Sequence, residues 1–128
     1  MSTRVLIIED DLFLSELLST KLTKEGFTVS NAGDGTQGLE KAVTEKPDIV
    51  LLDIMLPGMS GFEVLEKLQT HTDPTIKAIP VLMLSNFGQD SKVQKGLQLG
   101  AKDYLVKANF TTGEIVDKIK SILSLGNN

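Results

Sequence analysis

Acidic, hydroxyl and ammonium side chains recur in this chain at one kind of place, the end of a short apolar run. Glu9-Asp10-Asp11 follows Val5 to Ile8, Asp53 follows Ile49 to Leu52, Ser85 follows Val81 to Leu84, and Lys107 follows Tyr104 to Val106. Apolar runs of that length suit strands buried on both faces of a parallel sheet, and such sheets present reactive groups beyond their carboxyl ends. On one edge the acids become neighbours. Carboxylates packed together repel unless something cationic lies among them, and an all-oxygen set suits a hard ion such as Mg2+. A carboxylate nucleophile with a metal, an ammonium and a hydroxyl donor around it meets the needs of phosphoryl transfer, which asks for positive charge and donors on the equatorial oxygens. Asp53, at the end of the central run, is the expected nucleophile. Singly, each residue has a plainer reading: Asp53 as a strand-end acid, Lys107 as a solvated charge, Ser85 as a turn residue, Tyr104 as a rim aromatic. Their joint occurrence carries the chemistry.

The elements needed to hold these groups are legible in order. After the first strand, Arg4 to Ile8, comes a helix with Asp11 as N-cap and Leu14, Leu17, Leu18 and Leu22 at helical spacing, ended by Gly26. Phe27 to Ser30 reads as a second strand, and Asp34 with Gln37 starts a helix that Lys46-Pro47 stops. Beyond the central strand, Ser60 and Glu63 form a capping box before Val64, Leu65 and Leu68, and Asp73-Pro74 marks a loop. Pro80 opens the fourth strand. A fourth helix around Val93 and Leu97 ends near Gly100, Tyr104 to Val106 makes the fifth strand, and Thr111 with Glu114 caps a last helix. This (βα)5 alternation predicts an α/β, doubly wound, mostly parallel sheet with right-handed crossovers.

The chain has 128 residues, which fits one domain over 1–128 with no internal linker, repeat or low-complexity segment. Cysteine is absent, so disulfides, thiol nucleophiles and Cys-based metal sites are excluded; the single histidine, His71, builds no cluster. No apolar run approaches ~20 residues and Met1-Ser2-Thr3-Arg4 does not resemble a signal-peptide core, so a soluble cytoplasmic location without membrane contact is expected. The net charge of −4 with interspersed signs argues against direct nucleic-acid binding.

With these pieces in order, VLIIEDD, IVLLDIMLPGMSG, PVLMLS and GAKDYLVK, the chain closely resembles the response-regulator receiver domain over essentially its whole length. The resemblance implies a flavodoxin-like fold with five parallel strands in the order 2-1-3-4-5, in a receiver of a two-component phosphorelay that either stands alone or forms one domain of a longer chain. It implies Asp53 as phosphoacceptor from a sensor histidine kinase or histidine phosphotransfer protein. Mg2+ would be held by the side chains of Asp10 and Asp53 and the Met55 backbone carbonyl, with Glu9 holding a metal-bound water. Ser85 would take a phosphoryl oxygen, Lys107 would pair with the phosphoryl group, and Tyr104 would swing between outward and inward rotamers as the switch. Such a domain catalyses only its own phosphorylation and dephosphorylation. Its output would be a downstream protein target or a homodimer, met through the fourth helix, fifth strand and fifth helix. The fourth helix, with Gly96 in its interior and few strong apolar anchors between Val93 and Gly100, is expected to be the mobile part.

The sequence departs from that family in places. Lys107 is followed by Ala108 rather than Pro, so a trans bond is expected there, and Asn86 stands where a small residue is usual. Met55 and Phe87 border the path of attacking water in the family; neither can hold a water in line, which implies slow loss of the phosphoryl group. Two rivals remain. Gly33 to Gly38 spells G-x-G-x-x-G, but it follows the second strand, whereas the dinucleotide fingerprint belongs to the first βα turn; it is expected to be only a tight turn. An interaction module that no longer takes phosphate is disfavoured by the intact acids, Ser85 and Lys107.

Overall fold

The structure, a computed structural model, describes residues 3–86 and 88–124. In chain order it contains β1 (Arg4–Ile8), α1 (Leu12–Lys24), β2 (Thr28–Ala32), α2 (Gly35–Glu45), β3 (Ile49–Leu52), α3 (Gly61–Gln69), a one-turn α4 (Pro74–Lys77), β4 (Val81–Ser85), α5 (Asp90–Gln98), β5 (Asp103–Val106), a 3-10 turn over Lys107–Asn109, and α6 (Thr112–Ser124). The strands form one parallel sheet in the order β2-β1-β3-β4-β5. Among the described residues no helix is long and apolar enough to cross a membrane.

The three inner strands carry the longest apolar runs because helices cover both of their faces. Alternation divides their side chains. Leu6, Ile8, Val50, Leu52, Val81 and Met83 pack with Phe62, Val64, Leu65, Leu68 and Tyr104 on one face, while Val5, Ile7, Ile49, Leu51, Leu82 and Leu84 pack with Leu18, Leu22, Ile115 and Ile119 on the other. Each fully buried Leu or Ile contributes about 2 kcal/mol from burial, so both faces have a substantial core.

Several helix ends follow the local chemistry read from the sequence. Asp11 Oδ1 accepts from Leu14 N at 3.2 Å, Asp34 Oδ1 from Gln37 N at 2.7 Å, and Ser60 Oγ from Glu63 N at 3.3 Å. At α6 the box is reciprocal: Thr111 N donates to Glu114 Oε1 at 2.9 Å and Glu114 N to Thr111 Oγ1 at 3.1 Å.

Some elements differ from expectation. Asp73-Pro74 opens a helical turn rather than a loop, because Asp73 Oδ1 accepts from Thr75 N, Pro74 sits in the first turn, and Ile76 is buried beneath it. β2 starts at Thr28 and runs on to Ala32, drawn out by its register with β1, in which Ile8 pairs with Ala32. α5 begins at Asp90, ahead of its first apolar residue, and its N-cap Gln89 makes no side-chain cap bond. Gly96 inside α5 has a packing reason: a Cβ there would lie 3.0 Å from Met83 Sδ and 3.2 Å from the Tyr104 ring.

Candidate functional site

Sheet register assembles the acids. Ile8 pairs with Leu52, so the next residues, Glu9 and Asp53, leave the sheet side by side. The ladder is extended at that edge by Glu9 N donating to Ala32 O and Asp53 N donating to Ile8 O, each at 3.0 Å, which fixes both backbones. Glu9 and Asp53 are buried and Asp10 is exposed; one carboxylate oxygen from each of the three lies within 4.8 Å of the others. Three oxygens so placed, one of them on the solvent side, fit a small hard cation that keeps several waters. Asp11 stands apart from them as the cap of α1, its N–H donating to Glu9 Oε2 at 3.1 Å.

Lys107 enters this cluster from the end of β5. Its Nζ lies 2.7 Å from Glu9 Oε1 and 3.2 Å from Asp53 Oδ2. The peptide bonds among the described residues are all trans, including the one after Lys107, so the 3-10 turn delivers the ammonium to the acids without the family's usual proline. Burial works against the ammonium, but the Glu9 hydrogen bond and the charges of Asp53 and Glu9 outweigh it and hold the Lys107 pKa above its ordinary value.

Burial pushes Glu9 up from 4.5 to about 7; the hydrogen bonds from Lys107 and the Asp11 backbone pull the other way, and the nearby Asp53 adds to the rise. A carboxyl whose pKa is raised on folding binds its proton more tightly in the folded chain. Its favourable contribution is therefore complete below pH 4.5 and is lost as pH climbs through about 7. Discounted for solvent screening beside the exposed Asp10, this amounts to roughly 2 kcal/mol. In chelator, stability from urea melts should fall across that window in the wild type, and Glu9→Gln should flatten the slope. A variant that keeps the wild-type slope would assign it to other groups.

Ser85 and Tyr104 form the neighbouring unit. Ser85 ends β4, fully buried, beside Val106 of β5. Tyr104 is in its inward position, only 7% exposed. Burial raises its pKa, while a hydrogen bond with Ser85 lowers it and the charge of Asp53 raises it further. Met55 is 61% exposed, and its N–H reaches back to Asp53 Oδ1 at 3.4 Å, so the chain turns around the acid. Asn86 is exposed. Phe87 lies outside the described residues.

Sequence reasoning took Gly35 only for part of a tight turn and gave Gly61 no role of its own, whereas Gly35 opens α2 and both glycines admit a backbone carbonyl. A Cβ on Gly61 would lie 2.0 Å from the Asp53 carbonyl oxygen, and one on Gly35 would lie 2.1 Å from that of Met59. The G-x-G-x-x-G stretch is thus consumed by the protein's own packing: Asp34 caps α2, Gly35 faces Met59, and Gly38 sits on the Ile8 side chain. The only local signal was their placement, each directly after a helix N-cap.

The site residues therefore gather at the carboxyl edge of a 2-1-3-4-5 parallel sheet, and comparison with known proteins agrees. The model of the response regulator receiver domain matches residues 5–120. This chain belongs to that family. Among curated relatives, the alkaline phosphatase synthesis transcriptional regulatory protein PhoP of Bacillus subtilis is 37% identical over 123 residues, covering 96% of this chain and 49% of PhoP. The chain thus spans about half the length of such relatives. Among solved structures, chemotaxis response regulator CheY4 of Vibrio cholerae superposes with a TM-score of 0.86 at 28% identity, covering 95% of this chain and 99% of that one. CheY in the CheX-CheY-BeF3-Mg2+ complex from Borrelia burgdorferi gives 0.84 at 30% identity, covering 94% and 88%.

Proposed function

We propose that this receiver domain is a phosphorylatable switch in which Asp53 accepts a phosphoryl group from the phosphohistidine of a sensor histidine kinase or histidine phosphotransfer protein. The observation that carries this is the Lys107 ammonium held 3.2 Å from Asp53 Oδ2, with Glu9 and Asp10 offering oxygens on the same side. A carboxylate oxygen of Asp53 forms the new bond to phosphorus as the P–N bond to the donor imidazole breaks and its electron pair returns to that ring. Mg2+, held by Asp10, Asp53 and the Met55 carbonyl with Glu9 on a bound water, would supply positive charge for the transferring oxygens. Lys107 contributes the fixed charge on the phosphoryl group and the Ser85 hydroxyl a donor. Because Ser85 is already bonded to Tyr104, a phosphoryl oxygen that engages Ser85 alters the Tyr104 contact, and through it α5, β5 and α6, the face for a protein target or a second copy. The chain would catalyse only its own phosphorylation and dephosphorylation, in the cytoplasm, without contacting nucleic acid or membrane itself. The Borrelia relative, solved with BeF3 and Mg2+, supports the same chemistry at a similar fold.

With Mg2+ and acetyl phosphate, intact mass should show one phosphoryl adduct on the wild type and none on Asp53→Asn. No adduct on the wild type, or an equal adduct on the variant, sinks the reading and leaves a pure binding module.

A further inference from the structure

We infer that Gly35, at the start of α2, is a positioning residue for the metal site: it sets where the β3–α3 loop can sit and hence where the loop presents its ligand. The inference rests on the Mg2+ reading proposed above. The loop leaves Asp53, turns at Gly58 with φ +77°, and is closed at its base by Gly61 N donating to Ile54 O at 2.8 Å. Its far side, Pro57 to Met59, leans on α2. Gly35 N donates to Pro57 O at 3.4 Å, and the missing Gly35 side chain leaves room for the Met59 backbone: a Cβ would lie 2.1 Å from Met59 O and 2.9 Å from Met59 C. No rotamer change relieves a contact with a carbonyl, so any side chain here moves the loop. Between the closed base and this outer support lies Met55, whose N–H is tied to Asp53 Oδ1. Displacing the support shifts the metal-facing backbone and the phosphoacceptor together.

The chain contains its own control. Gly33, two residues earlier, would place a Cβ in open space. Gly35 is helical, where alanine is the better helix former, so a loss in Gly35→Ala cannot come from helix propensity.

Mg2+ titrated calorimetrically should bind Gly35→Ala at least tenfold more weakly than wild type and bind Gly33→Ala with wild-type affinity. Amide shifts of Met55 and Met59 in chelator should move in Gly35→Ala alone. Equal affinity in wild type and Gly35→Ala overturns this inference and leaves the metal site standing; a wild type that binds no Mg2+ overturns both. Should Gly35→Ala not fold, the wild-type Gly35 amide decides: it should shift with the same saturation curve as Met55, and indifference to saturating Mg2+ overturns the inference.

Discussion

Lys107→Met should still bind Mg2+ yet take up phosphate from a small donor about a hundredfold more slowly than the wild type, the scale of losing one preorganised charge at a transition state. Lys107 is the ammonium that pairs with both Asp53 and Glu9, so its loss removes the positive charge held against the phosphoacceptor. The same substitution has a second effect of opposite sign. The ammonium occupies oxygens that a cation would use, so removing it should leave Mg2+ affinity unchanged or raise it. Without metal, two buried carboxylates lose their counter-charge, which costs about 3 kcal/mol when nothing compensates. Here the cost is limited, since Glu9, already pushed up to about 7, takes a proton instead. Phosphorylation of Lys107→Met at the wild-type rate would exclude the lysine from the transfer step. Weakened Mg2+ binding would mean that it orders the acids rather than competes for them.

Gly61→Ala should lower the melting temperature by roughly 10 °C, the equivalent of about 3 kcal/mol in a domain of this size. Its Cβ would meet the Asp53 carbonyl at 2.0 Å and Ile54 Cα at 2.8 Å, both backbone atoms at the end of the central strand. Flexible side chains yield to such insertions, but a strand end paired with Ile8 and followed by the phosphoacceptor has little room to move. The gain of about 1 kcal/mol expected for alanine over glycine inside a helix offsets only part of this. Thermal melts decide, and a variant within 2–3 °C of wild type (~1 kcal/mol) would show the loop base to be soft.

Much of this arrangement was legible before the structure. β1, β3 and β4 announced themselves as unbroken apolar runs, and chemistry placed at their ends needed only the rule that parallel strands share a carboxyl edge. The caps at Asp11, Asp34, Ser60 and Thr111 are local chemistry, and local chemistry is written in neighbouring residues. What escaped depends on distant partners. Nothing beside Gly35 or Gly61 announces the carbonyl each must admit, and nothing beside Lys107 shows that it sits closer to Glu9 than to Asp53. The turn at Pro74 was hidden because an Asp-Pro pair serves loops and helix starts alike, and the buried Ile76 that settles it is a tertiary fact.

The alternating sheet has a consequence for how such a chain changes over generations. Its two apolar clusters lie on opposite sides of a layer of hydrogen-bonded backbone, so side chains of α1 and α6 share almost no neighbours with those of α2, α3 and α5. Substitutions without shared partners combine additively, whereas those in one cluster do not. Drift on the α1–α6 side can therefore accumulate without retuning the packing around Tyr104. Packing in the two halves can thus drift separately, while the shared strands, the bonds of Asn31 to both α1 and α2, and the edge where Glu9, Asp53 and Lys107 meet keep the halves joined.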